Sequence, residues 1–370
     1  MKRLDFVFFD AGGGHRSAAN ALKAVIEQQQ RPWALRLVNL QEILDPLDIF
    51  RKITGLRLQD VYNLLLKKGW TLGSPQLTVA MHAIIRLYHR GQVKLLRKFW
   101  AEGRPDLVVS LIPNFNRALW QSLDGRTPMV TILTDFADYP PHFWIERGQE
   151  QYFVCGTEKA AAQARELGHP EDRIFRTSGM ILRPKFYDPV EVNRAAERAK
   201  LGLKPELTTG LVLFGGEGSN VMLDIARRLT AELQMIFICG KNVKLAAKLK
   251  ALQTKFPMSV QGFTTEIPYF MSLADFFIGK PGPGSISEAV AMGLPVIVER
   301  NSWTLPQERY NAEWVRERQV GVVLKSFREV NEGLAQLLTP GDFERYRANA
   351  RGVQNRAVFE IPEILERLMR

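Results

Sequence analysis

The chain states one plan twice. An unbroken apolar run, Phe6-Val7-Phe8-Phe9, leads into Gly12-Gly13-Gly14 and then into a stretch with Ala18, Ala21, Leu22 and Val25 at helical spacing. In the second half, Gly210-Leu211-Val212-Leu213-Phe214 leads into Gly215-Gly216-Glu217-Gly218-Ser219. Strand, glycine turn and helix open a parallel sheet wrapped by helices. Further apolar bursts of strand length follow each opening, at 35–40, 107–111, 130–133 and 152–155, then at 235–238, 258–260, 276–278, 294–298 and 320–324. This alternation predicts an α/β chain of two Rossmann-like halves that join near 184–187. A length of 370 residues also exceeds what one core normally serves. The expected domains are 1–184, completed by a C-terminal helix near 345–370, and 185–344.

Composition narrows the setting. Hydrophobic residues at 46% and charged residues at 24% describe a chain that folds. The formal net charge of +11 suits a polyanionic partner, but no recognition helix or aromatic RNA-binding motif accompanies it, so a nucleic-acid partner is not expected. The two cysteines, Cys155 and Cys239, lie inside apolar runs and read as buried small hydrophobes in a reducing compartment. The first apolar run is too short and too acidic at its ends for a signal peptide, and no transmembrane run of about 18 apolar residues occurs. Membrane contact would therefore be peripheral. Residues 50–100 suggest one, because they mix Arg51, Lys52, Lys67, Lys68, Arg90 and Lys94 with Trp70, Tyr88, Phe99 and Trp100. Such a stretch can lie on an anionic bilayer, or it can be a helix pair packed on the sheet with a solvated basic face.

Two places carry chemistry. Gly12-Gly13-Gly14-His15 falls between strand and helix, with the helix predicted from about Ser17; a loop imidazole at a strand's carboxyl edge is a candidate general base, and equally a capping or exposed histidine. Dinucleotide spacing is absent, since Val38-Asn39-Leu40 lacks the acidic residue that should end the second strand. The stronger signal is Gly279-Lys280-Pro281-Gly282-Pro283-Gly284-Ser285-Ile286-Ser287-Glu288, which joins an apolar strand to a helix. Amides of Gly284, Ser285 and Ile286 at that helix start could hold a diphosphate, and Glu288 could accept ribose hydroxyls. The alternative is a plain turn with a first-turn helix charge. His82, His89, His142 and His169 show no metal-ligand spacing.

These residues together resemble the monogalactosyldiacylglycerol synthase and processive diacylglycerol glucosyltransferase group, related to the peptidoglycan lipid N-acetylglucosaminyltransferases. The resemblance runs through GGGH and its helix (12–20), Thr134-Asp135 with His142 and Trp144, and the crossover from Thr177-Ser178-Gly179 to Pro184-Lys185-Phe186. It continues through Gly215-Gly216, Cys239-Gly240-Lys241-Asn242, Gly262-Phe263-Thr264, residues 280–289 and Gln307-Glu308-Arg309-Tyr310-Asn311. It departs at Tyr139-Pro140-Pro141, where the family's segment before the histidine is shorter.

The resemblance implies a GT-B fold, two Rossmann-like domains facing a central cleft, that moves a hexose from a nucleotide sugar, expected to be a UDP-sugar, to a lipid hydroxyl such as diacylglycerol. Donor ligands would be Gly216, Phe263 at the nucleobase, Gly284 and Ser285 at the diphosphate, Glu288 at the ribose, and Gln307, Glu308 and Asn311 at the sugar. Gly13, Gly14, His142 and Trp144 would face the acceptor, and His15 would be the base, with Asp135 as competing base or as the group that orients it. Transfer would invert the anomeric carbon. It would need no metal and no cofactor, the nucleotide sugar being a substrate; the sequence contains no Asp-X-Asp triplet. A cytoplasmic protein bound to the anionic inner face of the membrane is expected. A sugar-nucleotide epimerase of the same fold, or a transferase with a soluble acceptor, are the alternatives.

Overall fold

The computed structural model describes residues 1–10, 14–47 and 83–370. The chain divides into two compact units. The first comprises 1–184, 305–307 and 355–370, and the second 185–304 and 308–354. The first unit resumes at Asn355, later than the 345 expected from the sequence, because the helix Asp342–Gly352 belongs to the second unit.

The first unit is a six-stranded, wholly parallel sheet in the order β2-β1-β3-β4-β5-β6. Its strands are β1 (Lys2–Phe8), β2 (Trp33–Asn39), β3 (Leu107–Ser110), β4 (Met129–Ile132), β5 (Tyr152–Cys155) and β6 (Ile174–Arg176). Its principal helices are α1 (Gly14–Gln28), α2 (Leu40–Leu44), α3 (His89–Ala101), α4 (Asn116–Ser122) and α5 (Glu158–Glu166). Every residue of β1 from Leu4 onward is buried, as a central parallel strand covered on both faces requires. That includes Asp5, whose carboxylate is compensated by the Arg36 guanidinium at 2.9 Å and the Trp100 indole N–H at 2.9 Å. The edge strand β6 had no sequence signal, since three residues, Ile-Phe-Arg, are too few to show a period.

The second unit repeats the architecture in the order β12-β11-β10-β7-β8-β9, again all parallel. Here β7 is Thr209–Leu213, β8 Gln234–Ile238, β9 Met258–Gln261, β10 Phe276–Gly279, β11 Val296–Glu299 and β12 Gly321–Leu324. The helices are α6 (Arg194–Lys200), α7 (Val221–Arg228), α8 (Val243–Lys250), α9 (Ile267–Ser272), α10 (Pro283–Ala291), α11 (Arg309–Glu317), α12 (Val330–Leu337) and α13 (Asp342–Gly352). A last helix, α14 (Ala357–Leu368), returns to the first unit and packs on α1, with Arg31 3.3 Å from Glu366.

Strand order locates the crevices. In each sheet the chain winds one way from a central strand and then the other way, so the connections part above the carboxyl ends of β1 and β3 in the first unit and of β7 and β10 in the second. Ligands of open α/β sheets bind at such switch points.

Most of the basic, aromatic stretch expected at the membrane falls on residues 50–82, outside the described residues, as do Lys67, Lys68 and Trp70. Its described end behaves as a packed helix. Val93, Leu96 and Trp100 of α3 are buried in the core with Val7, Val108 and Leu119, so they are withdrawn from any bilayer. Arg86, Arg90, Lys94 and Lys98 remain exposed. Among the described residues no helix is long and apolar enough to cross a membrane.

Candidate active site

In the first unit, His15 lies at the β1/β3 switch point. It sits in the first turn of α1, which begins at Gly14 and not near Ser17, so the imidazole belongs to a helix start instead of a loop. Nδ1 lies 3.2 Å from Thr134 Oγ1, just beyond β4, and the ring hydrogen-bonds the Leu111 carbonyl just beyond β3. Desolvation by burial pushes its pKa down to about 4, against the upward pull of that carbonyl. The ring is therefore neutral near pH 7, the form a base requires. Gly14 is exposed, and a Cβ built on it would meet nothing within 4 Å, so its backbone is open to a ligand. Gly13 lies outside the described residues.

Asp135 and Trp144 meet, the indole Nε1–H donating to Asp135 Oδ2 at 2.9 Å. Trp144 is completely buried, with its ring centroid 6.0 Å from that of His15. It therefore cannot present its ring to an acceptor as the resemblance implied; it supports the groups that could. His142 is exposed and takes a left-handed backbone conformation, φ 63°. Asp138 was not singled out from the sequence. It is buried, its carboxylate gathers backbone amides of residues 142–145, and burial pushes its pKa up to about 6 despite them. A second carboxylate three residues after Asp135, in a segment rich in aromatics and proline, was the available signal.

In the second unit, Gly215-Gly216 follows β7 and the Lys280–Gly284 segment follows β10. Gly282 caps α10 with Pro283 at its first position, where a residue lacking N–H costs nothing. Ile286 N–H already closes the first turn on the Gly282 carbonyl at 3.1 Å, which removes it from the expected diphosphate donors. The amides of Gly284 and Ser285 precede that bond and have no acceptor within the helix. Gly284 is exposed, with nothing within 4 Å of where its Cβ would be. Glu288, half-buried, stands one turn behind Gly284 on the same helix face.

Lys280 lies in the motif read from the sequence but carries no role there. Its Nζ lies 2.7 Å from Glu308 Oε1, and a Cβ on Gly215 would be 4.0 Å from its Cε, so the side chain spans the β7/β10 switch point. A cation between a strand end and a glycine-rich helix start was the signal. Asn311 is fully buried, and its amide donates to the Pro281 carbonyl at 2.9 Å; it holds the loop from beneath instead of lining an open site. Gln307 is half-buried in the short turn Pro306–Glu308 and groups with the first unit, whereas Glu308 groups with the second.

The glycine loop after β7 rests on the one after β8. A Cβ on Gly240 would fall 2.1 Å from the Gly216 carbonyl oxygen, and Lys241 N–H donates to that oxygen at 2.8 Å. Gly216 itself faces open space. Phe263 is 61% exposed, with Lys241 Nζ 5.8 Å from its ring centre, so much of an aromatic ring is open to solvent. Among the described residues no group of three or more His, Cys, Asp or Glu side chains could hold a metal ion. Both cysteines are buried thiols.

The glycosyltransferase family 28 C-terminal domain matches residues 211–368, from β7 to α14. Over its whole length the chain is similar to the probable chloroplastic monogalactosyldiacylglycerol synthase 3 of Oryza sativa subsp. japonica, 29% identical across 100% of this chain and 75% of the relative. In fold it is similar to Acinetobacter baumannii MurG, with a TM-score of 0.62 at 12% identity over 99% of this chain and 100% of that one. It is also similar in fold to the UDP-GlcNAc 2-epimerase of Neisseria meningitidis bound to UDP-GlcNAc, with a TM-score of 0.61 at 14% identity over 99% and 100%. The chain is a glycosyltransferase of the GT-B fold that carries a glycosyltransferase family 28 C-terminal domain and is similar over its whole length to the monogalactosyldiacylglycerol synthases.

Proposed function

We propose that this glycosyltransferase moves a hexose from a UDP-sugar to a lipid hydroxyl such as that of diacylglycerol, with inversion and without a metal ion. The observation that carries the reading is the β7/β10 switch point, where the outward amides of Gly284 and Ser285, the positive end of α10 and the Lys280 ammonium converge. Charge appearing on a departing nucleoside diphosphate is the largest electrostatic demand of the reaction, and preorganised donors meet it without reorganisation. Glu288 would receive the ribose hydroxyls, Phe263 would stack on the base, and Gln307 and Glu308 would face the sugar. The neutral His15 imidazole would take the proton of the attacking hydroxyl, and displacement with the diphosphate leaving opposite inverts the anomeric carbon.

A lipid acceptor is supported by the similarity, over the whole of this chain, to synthases named for a galactolipid. A peripheral position on an anionic inner membrane face suits the exposed Arg86, Arg90, Lys94 and Lys98. The test is a matrix of nucleotide sugars against lipid and soluble acceptors, with product masses measured. One nucleotide hexose glycosylating diacylglycerol supports the reading; glycosylation of soluble acceptors alone defeats the lipid assignment. Epimerised donor formed without any acceptor defeats the transfer.

A further inference from the structure

The segment 139–145 is fastened at every turn. Trp144 N–H donates to Asp138 Oδ1 at 2.6 Å and His142 N–H to Asp138 Oδ2 at 3.1 Å, while the amides of Phe143 and Ile145 also point to that carboxylate. The carbonyls are held as well: Asn114 N–H donates to the Phe143 oxygen at 2.6 Å, and Asn116 Nδ2 to the Trp144 oxygen at 3.1 Å. Asn116 is anchored in turn by Ser110 Oγ at 2.7 Å, at the end of β3. Asp138's own backbone is clamped by Gln163 of α5, which accepts from its N–H at 2.8 Å and donates to its carbonyl at 3.0 Å.

What this framework holds in place is the Trp144 indole. One edge donates to Asp135, and the ring lies against His15. A carboxylate sunk among backbone amides is costly to desolvate, and a turn of this size can be built with an asparagine or serine. Its placement is explained by the rigidity that charge-assisted bonds impose on the loop.

We infer that Asp138 is a positioning residue of the active site, which fixes the orientation of His15 and Asp135 through Trp144. The inference rests on the proposed reading of His15 and Asp135 as the proton-handling groups. An error of a fraction of an ångström in such a group lowers turnover while leaving the donor's own contacts intact.

The experiment compares Asp138→Asn, Trp144→Phe and the double variant. Asparagine keeps the shape but replaces one acceptor oxygen by a donor facing backbone N–H groups. Phenylalanine keeps an aromatic ring in the pocket while removing the indole N–H together with part of the buried ring volume. Each single change is expected to lower kcat at least tenfold, with UDP affinity by calorimetry within twofold of the parent. The double variant should be little worse than either, because both act through one contact. Independently of activity, NMR titration of the His15 ring, assigned by its loss in His15→Gln, should show its low midpoint moving upward toward 6.5 in Asp138→Asn. Should Asp138→Asn not fold, Trp144→Phe and its His15 titration carry the test. Multiplying effects in the double variant, or an unmoved His15 midpoint, would overturn the inference. A parent enzyme that transfers no sugar would instead overturn the proposed function.

Discussion

Lys280 Nζ sits 2.7 Å from Glu308 Oε1, with Glu308 nearly buried and Lys280 about half exposed. The carboxylate thus aims an ammonium at the start of α10. If Glu308 served the sugar alone, its loss would weaken a UDP-sugar and spare UDP. Because it also holds Lys280, Glu308→Gln should weaken UDP itself by about tenfold, the scale of one charge-assisted hydrogen bond. Calorimetry with UDP, with and without the sugar, decides between the roles, and unchanged UDP affinity would reduce Glu308 to a sugar contact.

Glu288 is the proposed ribose ligand one turn behind Gly284. Glu288→Ala should remove two charge-assisted hydrogen bonds, worth about 1.5–3 kcal/mol each, and lower donor affinity with folding intact. Unchanged nucleotide affinity would take Glu288 out of the site.

His15→Ala should lower turnover by roughly 100-fold while donor affinity stays close to that of the parent, since general-base assistance is of that size. The pH dependence has a definite sign. With its pKa lowered to about 4, the imidazole remains a proton acceptor well below the ordinary histidine value of 6.5. The acid limb of kcat/KM due to this group should then lie nearer 4 than 6.5. Stability linked to His15 is fully present above 6.5 and falls as pH drops toward 4, where the folded ring is at last protonated. A histidine-dependent limb at 6.5 in the parent, absent in His15→Ala, would show an ordinary, solvated ring.

Much of this fold is written locally, and much of the site is not. Strands such as Phe276-Phe277-Ile278 announce themselves because both faces of a parallel sheet are covered, and the glycine-rich segments after β7 and β10 are visible as composition. The strand order, and with it the two switch points, depends on long-range pairing that no local pattern encodes. Whether a polar residue contacts a ligand or holds one that does is equally non-local. Trp144 and Asn311 share motifs with exposed candidate ligands, yet both are fully buried, and only packing distinguishes them. Asp138 and Lys280 carry no role in the sequence alone because a loop carboxylate or a lysine beside glycines is ordinary until its neighbours are known.

Transfer should survive chelation. Gly284, Ser285, Lys280 and the α10 dipole are proposed to supply the charge that a metal bridge would otherwise provide. Full loss of activity in EDTA, restored by magnesium or manganese, would contradict this.

On α3, Arg90, Lys94 and Lys98 recur at helical spacing on the face opposite the buried Val93, Leu96 and Trp100, and Arg86 precedes them. Leu87, 78% exposed, and Ile84, 47% exposed, stand beside this stripe. Each basic side chain near an anionic surface contributes about 1 kcal/mol, so four of them with two apolar contacts suffice for reversible attachment. Replacing Arg86, Arg90, Lys94 and Lys98 by Glu should abolish sedimentation with anionic vesicles at low salt. Activity on a detergent-solubilised acceptor should persist, because none of the four is among the residues that hold His15 or Asp138. Parent protein that sediments equally with neutral and anionic vesicles, or a variant that still binds, would show that this helix face is only solvated. The acceptor would then have to reach the enzyme by a route that does not depend on this surface.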